Sequence, residues 1–141
     1  MHVPEAVLRE VRQHRPVAAD WVISHASVED VSLPTDSAFR ALVSALILDE
    51  GEQFSLALIR VYRGAIFFTD DAAARLAAEQ ESIRVHGTIG IILRAIRQNH
   101  RTPREVLALL QMIPSKSTLY IRSSLLDEVI EQVAELCGLG T

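Results

Sequence analysis

The sequence predicts an α/β fold built around a parallel sheet, in one domain spanning residues 1–141. Short β-branched or aromatic runs alternate with longer segments of helical period, the order expected of β-α-β units. The run "AIFFT" (65–69) is apolar without interruption, as in strands covered on both faces. No Pro-, Gly- or Ser-rich linker divides the chain, and there is no repeat or low-complexity segment.

Taken in order, "VPEAVLREVRQH" (3–14) predicts a helix with Pro4 at its first position and Val7, Leu8 and Val11 on one face; Pro16 ends it. "WVIS" (21–24) predicts a short buried strand, and "VEDVSLP" a loop. Thr35 or Asp36 can cap a helix containing "FRALVSALIL". "DEGE" (49–52) breaks that pattern and "EQFSLALIRVYR" resumes it, with Gly64 as the stop. After the "AIFFT" strand, Asp71 to Gln80 is helical by composition, "IRVHG" (83–87) is a strand, and Thr88 opens the helix "IGIILRAIRQ". "TPRE" (102–105) is a capping box starting a helix from Pro103 to about Ile113. "PSKS" predicts a turn, "LYI" an extended stretch, and Ser123 or Ser124 the cap of a last helix that stops at Gly138.

Composition narrows the function. Apolar residues make up 49% and charged residues 23%, the balance of a folded domain with a substantial core. A net charge of −4, from 14 basic and 18 acidic residues, gives no general attraction to nucleic acid, so any such contact needs a local patch. The single Cys137 excludes an internal disulfide and points to a reducing, cytoplasmic setting. No apolar run approaches the ~20 residues of a membrane span.

The chemistry-bearing residues are acidic. Asp70 and Asp71 follow the "IFFT" strand, at the end of a parallel strand where α/β ligands bind. One aspartate there serves as a helix cap, its charge favoured by the helix dipole. A second adds repulsion unless a cation or basic group neutralises it. Glu10, late in the first helix, and Glu52, opening the helix before the strand, are further oxygen ligands for Mg²⁺ or Mn²⁺, or else solvated surface charges. Such an ion activates water and stabilises charge in phosphodiester hydrolysis. Other signals are weaker. "HGTIG" (86–90) matches no phosphate-loop fingerprint, and the five histidines lack paired ligand spacing. Ser115 and Ser117 have no evident base beside them. "RAIRQNHR" (94–101) is either a helix end complementing its dipole or a patch for a phosphate backbone.

The ordered segments "VPEAVLREV", "LDEGEQFSLAL" and "IFFTDDAAARLAAEQESIRVHGTIGIILRA", covering residues 3 to about 100, resemble the PIN-domain superfamily. The similar branch is that of predicted nucleic-acid-binding proteins related to VapC-type toxins, whose last helix "STLYIRSSLLDEVI" also resembles. The resemblance implies a three-layer α/β/α fold and a Mg²⁺- or Mn²⁺-dependent ribonuclease of toxin–antitoxin type. It implies Glu10, Glu52, Asp70 and Asp71 as metal ligands and catalytic residues, with either aspartate as the principal ligand. Phe54 stands where many relatives carry another acid. Members of the family usually begin with a strand ending in aspartate and a further helix; this sequence starts at Met1 directly on "HVPEAV", so the resemblance implies an absent interior strand. Buried backbone groups left without ladder partners cost about 1–3 kcal/mol each. Three readings follow: a start upstream of Met1, a sheet repaired within a homodimer, or a relative that binds without cutting. The partners implied are RNA, an antitoxin protein and a second copy of the chain; the alternative function is a non-catalytic interaction or dimerisation module.

Overall fold

A computed structural model of the chain describes residues 1–116, 119 and 121–139. The elements run β1 (His2–Pro4), α1 (Glu5–His14), α2 (Pro16–His25), β2 (Ser27–Glu29), α3 (Ser37–Leu46), α4 (Glu50–Val61), β3 (Ile66–Phe68), α5 (Ala72–Gln80), β4 (Arg84–His86), α6 (Thr88–Arg97), α7 (Pro103–Lys116) and α8 (Ser123–Leu136). They gather into two compact units, Met1–Gly87 and Thr88–Thr141.

The first unit is a mixed α/β structure with parallel strand pairs. β1 pairs with β2 across the α1–α2 connection, with Val3 opposite Val28. β3 pairs with β4 across α5, with Phe67 opposite Val85. Parallel neighbours require a crossover of this kind, and a helix supplies it in both cases. α4 packs on α1, β1 and β3, and its Leu58 and Ile59, with Tyr62 just past its end, border an apolar cavity of about 380 Å³ together with residues of β1 and β3.

The core of this unit explains the alanine-rich stretch after Asp71. Ala74, Ala77 and Ala78 are fully buried, stacked with Phe39, Leu56 and Phe67. Their small side chains on one face let α5 lie close to α3 and β4, with which it packs. Arg60 spans the unit's surface: it donates to Glu81 at 2.5 Å and Asp36 at 3.0 Å and lies 4.7 Å from the Phe39 ring centroid. Asp36 also accepts from the Phe39 N–H at 2.9 Å, capping α3 as its position predicts. Gly64, at φ +80°, turns the chain from α4 into β3 in a conformation that glycine adopts without a Cβ penalty.

The second unit is helical. Val106, Leu107, Leu110 and Ile113 of α7 meet Leu126, Val129 and Val133 of α8, with Ile89, Ile92, Leu93 and Ile96 of α6 packed against them. The Thr102 hydroxyl accepts from the Glu105 N–H at 3.3 Å while Glu105 accepts from the Thr102 N–H at 2.8 Å, which is the expected capping box.

Five local expectations are corrected. Val3 and Pro4, expected to open the first helix, belong to strand β1, and α1 starts at Glu5. "WVIS" belongs to helix α2, and the strand comes later, at Ser27–Glu29, overlapping the start of the stretch expected to be loop. Pro16 starts this new helix as its first residue; a four-residue apolar run is equally compatible with strand and helix, and the proline decides it. Pro114, Ser115 and Lys116 remain in α7, with Pro114 inside the helix near its end. Ser123 is already helical, with Arg122 as the preceding residue and no side-chain cap. Ser117, Thr118 and Tyr120 of the "PSKS" and "LYI" expectations lie outside the described residues.

Leu56 and Leu110 are each fully buried, one in each core. Leu56→Ala and Leu110→Ala should each lower unfolding free energy by about 2–5 kcal/mol, measured by urea denaturation. The Thr102 N–H and hydroxyl hold the Glu105 carboxyl below the ordinary carboxylate range. The stabilisation is therefore complete above the ordinary glutamate value and lost as pH falls through the lowered folded value. Wild type should melt above Glu105→Gln at about pH 7, and the gap should narrow progressively in melts taken below about pH 4.

Candidate functional site

Two helix N-termini carry the acidic residues, and both begin with an aspartate cap. At α4 the Asp49 carboxylate accepts from the Glu52 N–H at 2.9 Å, and Glu52 in return accepts from the Asp49 N–H at 3.1 Å. This reciprocal box fixes Glu52 in the first turn of the helix. At α5 the Asp71 carboxylate accepts from the Ala74 N–H at 2.8 Å, and the Asp71 N–H donates to the Thr69 hydroxyl at 3.1 Å. Asp71 is thus the helix cap, which answers half of the question raised by the adjacent aspartates.

The two capped ends meet. Burial pushes the Glu52 carboxyl above its ordinary value, and the neighbouring charges of Asp49 and Asp71 push it further, with Asp71 close enough for a direct hydrogen bond. The Asp49 N–H opposes this by stabilising the charged form. Facing carboxyl groups repel when both are charged, and a proton or a cation between them relieves that repulsion. The positive ends of the α4 and α5 dipoles lie where these negative charges accumulate, which lowers the cost of gathering them.

Glu10 approaches the same helix end from α1. A Cβ on Gly51 would lie 2.8 Å from Glu10 Oε2 and 3.6 Å from Asp49 Oδ1, so the absent side chain of Gly51 leaves room for the Glu10 carboxylate beside Asp49. Glu10, Asp49, Glu50 and Gly51 line a cleft of about 670 Å³ with Arg9, Arg12 and His14. Arg9 pairs with Glu50 at 3.2 Å on its rim. Asp70 turns elsewhere: a Cβ on Gly87 would lie 2.7 Å from Asp70 Oδ1 and 3.1 Å from Arg75 Nη2, which puts Asp70 beside a basic group of α5.

The structure therefore brings Glu52 and Asp71 together, sets Glu10 next to Asp49 at the adjoining residue, and places Asp70 by Gly87 and Arg75. Among the described residues no group of three or more His, Cys, Asp or Glu is arranged to hold a metal ion. Two residues of this neighbourhood escaped sequence reasoning. Asp49 was signalled by its spacing from Glu52, which is that of a capping box; Arg75 had no signal beyond its helix position.

A family profile described as a PIN domain, DUF3368, matches residues 1–135. The chain belongs to this PIN-domain family. No curated protein and no solved structure matches it. Membership gives the chain a nuclease-like fold, and PIN domains generally depend on divalent metals. The PIN fold also accounts for the mixed helices and parallel strand pairs described above. Among the described residues no helix is long and apolar enough to cross a membrane.

Gly51→Ala forces the mobile end of Glu10 aside rather than backbone. Replacing a mid-helix glycine by alanine stabilises by about 0.5–1 kcal/mol, and a first-turn glycine such as Gly51 gains less. The variant's melting temperature should stay near or above that of wild type, while its structure should show the Glu10 carboxylate displaced from Asp49.

Proposed function

We propose that this PIN domain, a single domain in which both units take part, is a Mg²⁺- or Mn²⁺-dependent ribonuclease of toxin–antitoxin type. The observation carrying this reading is the Glu52–Asp71 contact, two carboxyl groups gathered at helix N-termini with Glu52 pushed toward its protonated form. Mg²⁺ keeps several waters and needs only one or two protein carboxylates, with substrate phosphates completing its shell. Glu52 and Asp71 fit that requirement, since Asp71 uses Oδ1 for its cap and Glu52 uses Oε2 for its box.

In this reading Glu52 and Asp71 hold the ion, Glu10 adds negative charge beside Asp49, and Asp70 is the auxiliary acid held near Arg75. The bound ion supplies an activated water and charge stabilisation for cleavage of an RNA phosphodiester. The protein's own contribution is to fix the two carboxylates through backbone caps, so that no rotamer search precedes binding. An antitoxin protein would regulate the activity, and the setting is cytoplasmic.

A second reading is supported by α2. Val17, Trp21 and Ile23 are exposed at 84%, 55% and 48%, with Trp21 stacked on His25 at 4.5 Å. An apolar helix so displayed favours a non-catalytic module that binds a partner or forms a homodimer.

Calorimetric titration with Mn²⁺ separates the two. The nuclease reading predicts saturable binding by wild type, lost at least tenfold in Glu52→Gln/Asp71→Asn, together with Mn²⁺-dependent cleavage of RNA by wild type alone. A folded wild type that releases no binding heat and cuts no RNA would leave the interaction module as the function.

A further inference from the structure

The chain is acidic overall, yet no carboxylate occurs between Glu81 and Glu105, a stretch holding five arginines and two histidines. Four of these arginines, Arg94, Arg97, Arg101 and Arg104, lie at the corner where α6 ends and α7 begins. The corner is tightly built. Asn99 adopts φ +57°, and the N–H groups of His100 and Arg101 both donate to the Ala95 carbonyl, at 2.9 and 3.2 Å, folding the chain back over the end of α6. Arg97, His100, Arg101 and Arg104 are all exposed on this turn.

Helix stability explains only part of the cluster. Arg94 and Arg97 stand in the last turn of α6, where a cation complements the dipole. Arg101 and Arg104 do the reverse: they flank the Thr102 cap at the start of α7, the end of a helix that disfavours positive charge. Among the described residues neither Arg97 nor Arg104 makes an ion pair, and Arg101 reaches Glu105 only at 3.9 Å. Glu105 is itself committed to the Thr102 N–H and hydroxyl. Four cations are thus gathered at one corner, two of them against the local field. Such a local conflict marks a surface shaped by what it binds.

Resting on the ribonuclease reading, we propose that the α6–α7 corner is a docking surface for the phosphate backbone of single-stranded RNA, with Arg97, Arg101 and Arg104 as its phosphate contacts. Exposed arginines on a fixed turn present bidentate forks to successive phosphates without reading base identity. His100, between them, offers a further donor and a ring against which a base can stack. The surface lies wholly within the second unit, so its role is retention of the strand rather than chemistry.

The test is fluorescence anisotropy with a labelled mixed-sequence oligoribonucleotide in EDTA, across a series of salt concentrations, for the full chain and Arg97→Gln/Arg101→Gln/Arg104→Gln. All three side chains are exposed, and unchanged circular dichroism and melting confirm folding. Each phosphate contact on a single strand contributes about 0.7 to the slope of log affinity against log salt, so the variant's slope should be shallower by about 2. At low salt its affinity should fall on the order of tenfold. Equal slopes and affinities in the two proteins overturn the proposal. So does a wild type that ignores RNA but self-associates through these arginines, which would assign the corner to the acidic Asp127, Glu131 and Glu135 side of a second copy's α8. A parallel Glu52→Gln/Asp71→Asn sample keeps the outcomes apart. Cleavage that persists in the arginine variant with unchanged affinity sinks the docking surface and leaves the nuclease reading standing; arginine-dependent binding without metal-dependent cleavage does the opposite.

Discussion

The capped N-terminus of α4 is the constraint on which the rest of the first unit depends. α4 packs on α1 and on one strand of each parallel pair, so its direction sets where both pairs lie against the core. The Asp49–Glu52 box defines where that helix starts. That fixed start leads into the turn whose Leu56, Ala57 and Leu58 are buried in the core. The same box delivers Glu52 to the Asp71 cap of α5. One local backbone device thus serves stability and site construction together.

Gathering carboxyl groups is costly, and the fold offsets the cost in identifiable ways. Each acid near the junction answers a backbone N–H: Asp49 that of Glu52, Glu52 that of Asp49, and Asp71 that of Ala74. Each also lies at the positive end of a helix. What remains unrelieved is the burial of Glu52 and its repulsion by Asp71, and both raise its proton affinity. The Asp49–Glu52 box accounts for Glu52 as a cap partner; it does not account for the Asp71 carboxylate set beside it.

Much of this was legible in the sequence, in proportion to how local the cause is. Caps at Asp36, Asp71 and Thr102, and the strands around Phe67 and Val85, follow from residues within one turn of the element they define. Helix α2 was misread because the apolar residues of "WVIS" fit either period and only Pro16 carries the boundary. The adjacent aspartates illustrate the limit more sharply. Sequence position gives them the same standing, yet Asp71 faces Glu52 while Asp70 lies beside Arg75 and Gly87. That difference arises from how the α5 start meets the α4 start across the packed core, a tertiary relation that no spacing along the chain encodes. The DUF3368 profile supports the PIN resemblance drawn from motif order; the assignment of individual ligands rests on this geometry.

The most direct measurement of the central claim is anomalous diffraction from crystals of the protein soaked in Mn²⁺. The account predicts one strong anomalous peak within coordinating distance of both Glu52 and Asp71. A peak at Asp70 and Arg75, or an ordered Glu52–Asp71 pair with no peak at saturating Mn²⁺, would contradict it.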